Sequence, residues 1–286
     1  MCVSENMTWK CWFCLKKIAG VASLTLATGL IQYGQSKSGV TVFAPTIVDT
    51  AKEPTKKWDY DWDRRQPDEN IDSHISTTQS GIQTQRTTIR RHLILIRHGQ
   101  YNVDGDEGLT QLGKQQAKMA AIRLREYGYA YTTIVSSRMT RARETADIIK
   151  NILSPIEYEE TDLLNEGAPV MPEPPVGGWN SDKDPFFEDS IRMEAGFRQY
   201  IHRADPSQMK DSYEIFVTHA NVIRYFLCRA LQLPPEAWLR MTLNHGSITW
   251  LTVYPSGYVT MDGYGDTGFM PVDKCTTYNY PGKVDE

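Results

Sequence analysis

A chain of 286 residues, 40% of them hydrophobic, is long enough for one large domain or two modest ones with a sizeable core. Its formal charge of −4 argues against a general nucleic-acid binder, which would carry a basic face, so any affinity for phosphate has to be local. Five cysteines, Cys2, Cys11, Cys14, Cys228 and Cys275, are too scattered for a disulfide framework, and Cys11-x-x-Cys14 lacks the second pair that a zinc site needs.

At the N-terminus, Lys10, Lys16 and Lys17 precede an uncharged stretch over residues 18–31. It is short against the roughly 20 residues of a bilayer span, and a membrane anchor and a secretory signal both fit it. Residues 35–89 are rich in Ser, Thr, Gln, Lys and Pro and read as a linker. Inside it lies Trp58-Asp59-Tyr60-Asp61-Trp62-Asp63, whose tryptophans share one side if the segment is helical. Two tryptophans outside a core are costly to expose, so the segment is expected to dock on a neighbouring molecule.

The apolar run Leu93-Ile94-Leu95-Ile96 predicts a buried parallel strand that ends at Arg97-His98-Gly99. Open α/β sheets collect ligands at the carboxyl ends of their strands. Residues 131–135 predict a second strand, followed by Ser136-Ser137 as an N-cap with Arg138, Arg141 and Arg143 in the opening turns of a helix. Residues 214–217 repeat the first pattern, ending at His219 and a helix that stops before Pro234-Pro235. Two strand-end histidines, a strand-end arginine and arginines at a helix N-terminus form a site for a tetrahedral dianion. Arg138 and Arg143 read as a solvated face, Asn102 is assigned no role, and His245 in Asn244-His245-Gly246-Ser247 reads as shaping a turn.

In chain order, Arg97-His98-Gly99, Leu109-Thr110-Gln111-Leu112-Gly113-Lys114, Ser136-Ser137 with Arg141-Ala142-Arg143-Glu144-Thr145-Ala146, Glu166-Gly167 and Thr218-His219-Ala220 resemble the histidine phosphatase (phosphoglycerate mutase-like) superfamily. Trp58-Asp59-Tyr60-Asp61-Trp62-Asp63 and Gly265-Asp266-Thr267-Gly268-Phe269-Met270-Pro271 resemble its mitochondrial serine/threonine protein phosphatases. The resemblance implies a three-layer α/β/α fold with a mostly parallel sheet. It implies a mitochondrial, outer-membrane-favoured anchor over residues 1–34, a linker over 35–89 and a catalytic domain over 90–286. It also implies a homo-oligomer joined through Trp58, Asp59, Asp61, Trp62 and Asp63. Asp61 stands where the pattern usually has Asn, so a charge replaces a donor-bearing amide.

For the site, the resemblance implies His98 as nucleophile, forming a phosphohistidine. Arg97, Arg141 and His219 would hold the phosphoryl oxygens, and Glu166 would serve first as acid and then as base. Phosphoserine and phosphothreonine proteins are the implied substrates, with no cofactor and no metal. The alternatives are a metabolic mutase or small-molecule phosphatase, and a catalytically idle scaffold. A mutase needs lid segments to retain its intermediate. Little chain beyond the C-terminal tail follows His219 to supply them, so a site open to protein side chains is the favoured reading.

Overall fold

The computed structural model describes residues 57–65, 88–175 and 185–277, so the stretch 1–34 read as an anchor lies outside the described residues. Among the described residues no helix is long and apolar enough to cross a membrane.

Two-residue alternation builds the layers. β1 (Arg91–Arg97) sends Leu93 and Leu95 to one face of the sheet and Ile94 and Ile96 to the other, all fully buried. β4 (Ser212–Thr218) opposes Phe216 to Ile215 and Val217 in the same way. The first face is covered by α3 (Phe186–Tyr200) and α4 (Ala220–Ala230), through Met193, Phe197, Ile223, Phe226 and Leu227. The second is covered by α1 (Gln111–Tyr127) and α2 (Thr140–Leu153), through Ala121, Leu124, Ala146 and Ile149. A sheet buried on both faces gives the expected α/β/α architecture.

With β2 (Tyr131–Ser137), β3 (Glu157–Thr161), β5 (Ile248–Val253) and β6 (Val259–Asp266), the strand order is β3-β2-β4-β1-β5-β6. The first four strands are parallel, but β5 runs antiparallel to β1 and β6 antiparallel to β5. The reading of β1 as a parallel strand therefore holds on one side only. After α4 the chain returns across the layer and enters β5 at Ile248, opposite Ile96 near the carboxyl end of β1, so β5 must run back down.

One further expectation is corrected. Ser136 and Ser137 lie inside β2, and the N-cap of α2 is Met139, which makes no side-chain cap bond. The strand outlasts its apolar run because Ser137 is fully buried and its hydroxyl is used by the interior. The tryptophan segment docks on its own chain. Both indole N–H groups donate to Gly257 O, Trp58 at 3.3 Å and Trp62 at 2.7 Å. Trp62 packs on Phe197 at a centroid distance of 5.6 Å, and both tryptophans join the α3/α4 side of the core.

Asp63 locks the segment. Its side chain is 2% exposed and pairs with Arg203, 5% exposed, whose Nη2 donates to Asp63 Oδ1 at 2.6 Å. Burial alone would raise the Asp63 carboxyl, but the hydrogen bonds and charge of Arg203 outweigh it and hold the carboxyl below its usual value. This contribution is present above the unfolded carboxylate range and is lost as pH falls through the depressed folded value. Asp63→Ala strands the Arg203 cation and is expected to cost about 3–5 kcal/mol. It should show as a lower denaturation midpoint and faster tryptic cleavage after Arg64 or Arg65. A midpoint equal to the parent's would show that the pair is not needed.

Candidate active site

Arg97, His98 and His219 sit at the ends of parallel strands, whereas Arg141 comes from the first turn of α2 and Glu166 from the stretch after β3. Arg97 and Thr218 are register partners on β1 and β4, so His98 and His219 follow them side by side, with ring centroids 4.9 Å apart. A third strand end, Ser137 of β2, supplies a hydroxyl to the same cluster. The loop after β1 then passes against the first turn of α1 with no room for a side chain. A Cβ on Gly99 would lie 2.4 Å from Gly113 O, and one on Gly113 would lie 1.9 Å from Gln100 O.

His98 is 2% exposed. Its Nδ1 lies 2.8 Å from Gly99 O, and a carbonyl can only accept, so Nδ1 carries the proton. Nε2 then holds the lone pair, and Arg141 Nε donates to it at 3.3 Å. Burial first, then the neighbouring His219, Arg97 and Arg141, hold His98 well below the usual histidine pKa. The ring is neutral at neutral pH, with a bare nitrogen.

His219 is fully buried and sits at the N-cap of α4. Ser137 Oγ donates to Asn165 Oδ1 at 2.8 Å, so it accepts from His219 Nε2 at 2.8 Å. Nδ1 of His219 is buried without a partner. Burial, Arg141 and Arg97 depress its pKa as well.

Arg97 and Arg141 flank the two rings, and Arg224 adds its charge beside Arg97 and Glu166. Arg97, Arg141 and Arg224 are 4%, 5% and 6% exposed. Arg97 donates Nη1 to Leu243 O and Nη2 to His245 Nε2, the latter at 3.0 Å, and its buried Nε is unpartnered. Burial lowers Arg97 to about 10, which leaves it cationic at neutral pH. Arg141 stacks its guanidinium over Tyr101 at 4.5 Å and donates Nη1 to Glu107, a half-exposed residue of the loop before α1. Half-buried Glu166 accepts from Asn221 N at 3.2 Å, and burial raises its carboxyl against the pull of Arg97, Arg141 and Arg224.

The structure thus gathers His98, Arg97, Arg141, Glu166 and His219 at one end of the sheet. Trp58, Asp59, Asp61, Trp62 and Asp63 sit apart from them on the face covered by α3 and α4, near Gly257 and Arg203. Arg138 is exposed and paired with Asp162 at 2.8 Å, and Arg143 is exposed. Sequence reasoning missed His245, Arg224 and the Ser137–Asn165 pair. His245 does not merely shape a turn, because its ring is 4% exposed and its centroid lies 5.7 Å from that of His98. Arg224, a cation within the apolar stretch of α4, was the legible signal of a buried charge.

A family model, the histidine phosphatase superfamily (branch 1), matches residues 93–169 and 177–266. The chain is 50% identical over 230 residues to the Mus musculus protein named serine/threonine-protein phosphatase PGAM5, mitochondrial, covering 77% of this chain and 80% of that one. It is 45% identical to the Xenopus laevis protein of that name, covering 91% and 97%. A solved phosphoglycerate mutase from Plasmodium falciparum is 32% identical, with a TM-score of 0.45 over 62% of this chain and 91% of that one.

The Glu107 carboxylate occupies one edge of the Arg141 guanidinium, where an added phosphate would have to compete with it. Glu107→Gln is expected to tighten binding of inorganic phosphate by roughly two- to fivefold, the worth of a half-exposed ion pair. Titration calorimetry reads this directly, and unchanged affinity would mean that the pair does not compete.

Proposed function

The chain belongs to the histidine phosphatase superfamily, and we propose that it removes phosphate from serine and threonine side chains of mitochondrial proteins through a phosphohistidine on His98. It is a hydrolase of phosphoric monoesters, as its relatives' names state for them. The observation that carries the mechanism is the fixed tautomer of His98, with Nδ1–H on Gly99 O and an unprotonated Nε2 beside the buried Arg97 and Arg141.

In this reading Nε2 attacks phosphorus as the ester P–O bond breaks. Arg97 and Arg141 hold the phosphoryl oxygens and supply the positive charge that a metal would otherwise provide, and His219 joins them once the entering dianion draws a proton onto its unpartnered Nδ1. Glu166, whose raised pKa favours its acid form, gives its proton to the departing serine or threonine oxygen. Water then attacks the phosphohistidine while the Glu166 carboxylate takes its proton, releasing inorganic phosphate and neutral His98.

His98→Ala should abolish both turnover of a phosphothreonine peptide and histidine labelling, because His98 Nε2 is the nitrogen that this reading assigns to the attack, with His219 left to hold the phosphoryl group. A parallel assay on 3-phosphoglycerate separates the phosphatase from a mutase. Labelled histidine in the variant, residual activity within tenfold, or interconversion of phosphoglycerates at a comparable rate would overturn the reading.

Residues 1–34 anchor the chain in a mitochondrial membrane, the outer one favoured, followed by the linker and the catalytic domain from residue 90. The protein assembles as a homo-oligomer through Trp58, Asp59, Asp61, Trp62 and Asp63. The docking face made by Gly257, Phe197 and Arg203 supports this, because a segment from a second copy could make the same contacts. Trp58→Ala with Trp62→Ala is expected to leave a folded, smaller and less active species, read by light scattering and activity on one sample. An unchanged high-order mass would exclude this role.

A further inference from the structure

Arg97 needs a hydrogen-bond acceptor that holds its guanidinium without neutralising it. His245 Nε2 lies 3.0 Å from Arg97 Nη2, and an arginine nitrogen can only donate, so Nε2 carries the lone pair and Nδ1 the proton. Nδ1–H points at Thr276 Oγ1, 3.0 Å away in the C-terminal tail.

The other side of Thr276 is fixed too. Gln116 Oε1 accepts from Gln100 N at 2.8 Å, which orients its amide, and Gln116 Nε2 donates to Thr276 Oγ1 at 2.9 Å and to Lys274 O at 2.8 Å. The backbone repeats the link, with His245 N donating to Thr276 O at 2.8 Å. Directional bonds thus run from the tail through one imidazole to the strand-end arginine. Burial, then the Arg97 charge, press His245 down to about 3, so the ring is neutral throughout the physiological range.

We propose that His245 is a positioning residue for Arg97, with Thr276 fixing its tautomer, and that its chemistry is chosen to be neutral. A carboxylate at this place would hold the guanidinium equally well but would cancel the charge meant for a phosphoryl dianion. The inference rests on the catalytic reading of Arg97.

The test compares His245→Gln, His245→Leu, His245→Glu and Thr276→Val in the full chain. Its readouts are calorimetric affinity for inorganic phosphate, kcat and KM on a phosphothreonine peptide, and thermal midpoint. Gln supplies a neutral acceptor near Nε2 and is expected to stay within about threefold of the parent. Leu removes the acceptor and should weaken phosphate binding about tenfold, the worth of a hydrogen bond to a charged group. Glu should weaken it at least as much as Leu although it restores an acceptor. Thr276→Val is expected to fall between Gln and Leu.

A phosphate affinity unchanged in Leu, a Gln variant as poor as Leu, or a Glu variant as good as Gln would each overturn the proposal. A purely structural role would lower the thermal midpoint of all four while leaving their phosphate affinities alike. If the parent hydrolyses no phosphopeptide, the catalytic reading fails, yet the affinity series still decides what His245 does.

Discussion

Concentrated positive charge beside a neutral imidazole is the constraint on which the rest of the site depends. Arg97, Arg141 and Arg224 are all nearly buried, and buried cations repel one another and lose hydration. Their acceptors are mostly uncharged: Leu243 O and His245 for Arg97, and Asn221 Oδ1 for Arg224. Arg141 pairs with a carboxylate, and that one stands on an exposed loop from which an entering anion can displace it. The scaffold therefore leaves most of its positive potential uncompensated at this end of the sheet.

The sheet accounts for how such an arrangement is held. Four parallel strands place their carboxyl ends in a row, and the residues next in chain to β1 and β4 are the two histidines. The antiparallel β5 brings the loop 241–247 to the same end, because it starts where β1 finishes. Gly246 N then donates to Arg97 O at 3.0 Å and to His98 O at 3.1 Å, tying this loop to the turn that carries His98. The antiparallel addition is thus what delivers the acceptors for Arg97.

Much of this was legible in the sequence because its signals are local. Four aliphatics ending in Arg-His announce a buried strand with a site at its end, and β4 with α4 repeats the pattern. What could not be read depends on contacts distant in sequence. The direction of β5 is set by where the chain returns, not by its own residues. Ser137 is a capping residue by type, yet His219 just after β4 and Asn165 after β3 claim its hydroxyl. The tryptophans signal a buried interface, and the intrachain partners that meet them, Gly257 O and Phe197, with Arg203 on Asp63, lie far along the chain where no local pattern announces them. His245 escaped because Asn-His-Gly-Ser has turn composition, and only the fold brings it to Arg97.

The two strand-end histidines reach the same protonation state by opposite means. His98 faces a carbonyl, which has no proton to give, so its scaffold-side nitrogen must donate. His219 faces a hydroxyl, which could serve either way until Asn165 is considered. The Asn165 amide is itself oriented, because Nδ2 donates to Asp162 at 3.1 Å and Oδ1 accepts from Arg138 N at 3.1 Å. Its oxygen therefore takes the Ser137 proton, and Ser137 can offer His219 only a lone pair. Each ring keeps its single proton on the nitrogen facing the scaffold and leaves the other without one. A neutral ring is also what three nearby arginines favour, since a second proton on either histidine would add a cation to a crowded, buried cluster. Hydrogen-bond direction thus selects a different tautomer for each ring, Nδ1–H in His98 and Nε2–H in His219, and electrostatics selects the same neutral charge for both.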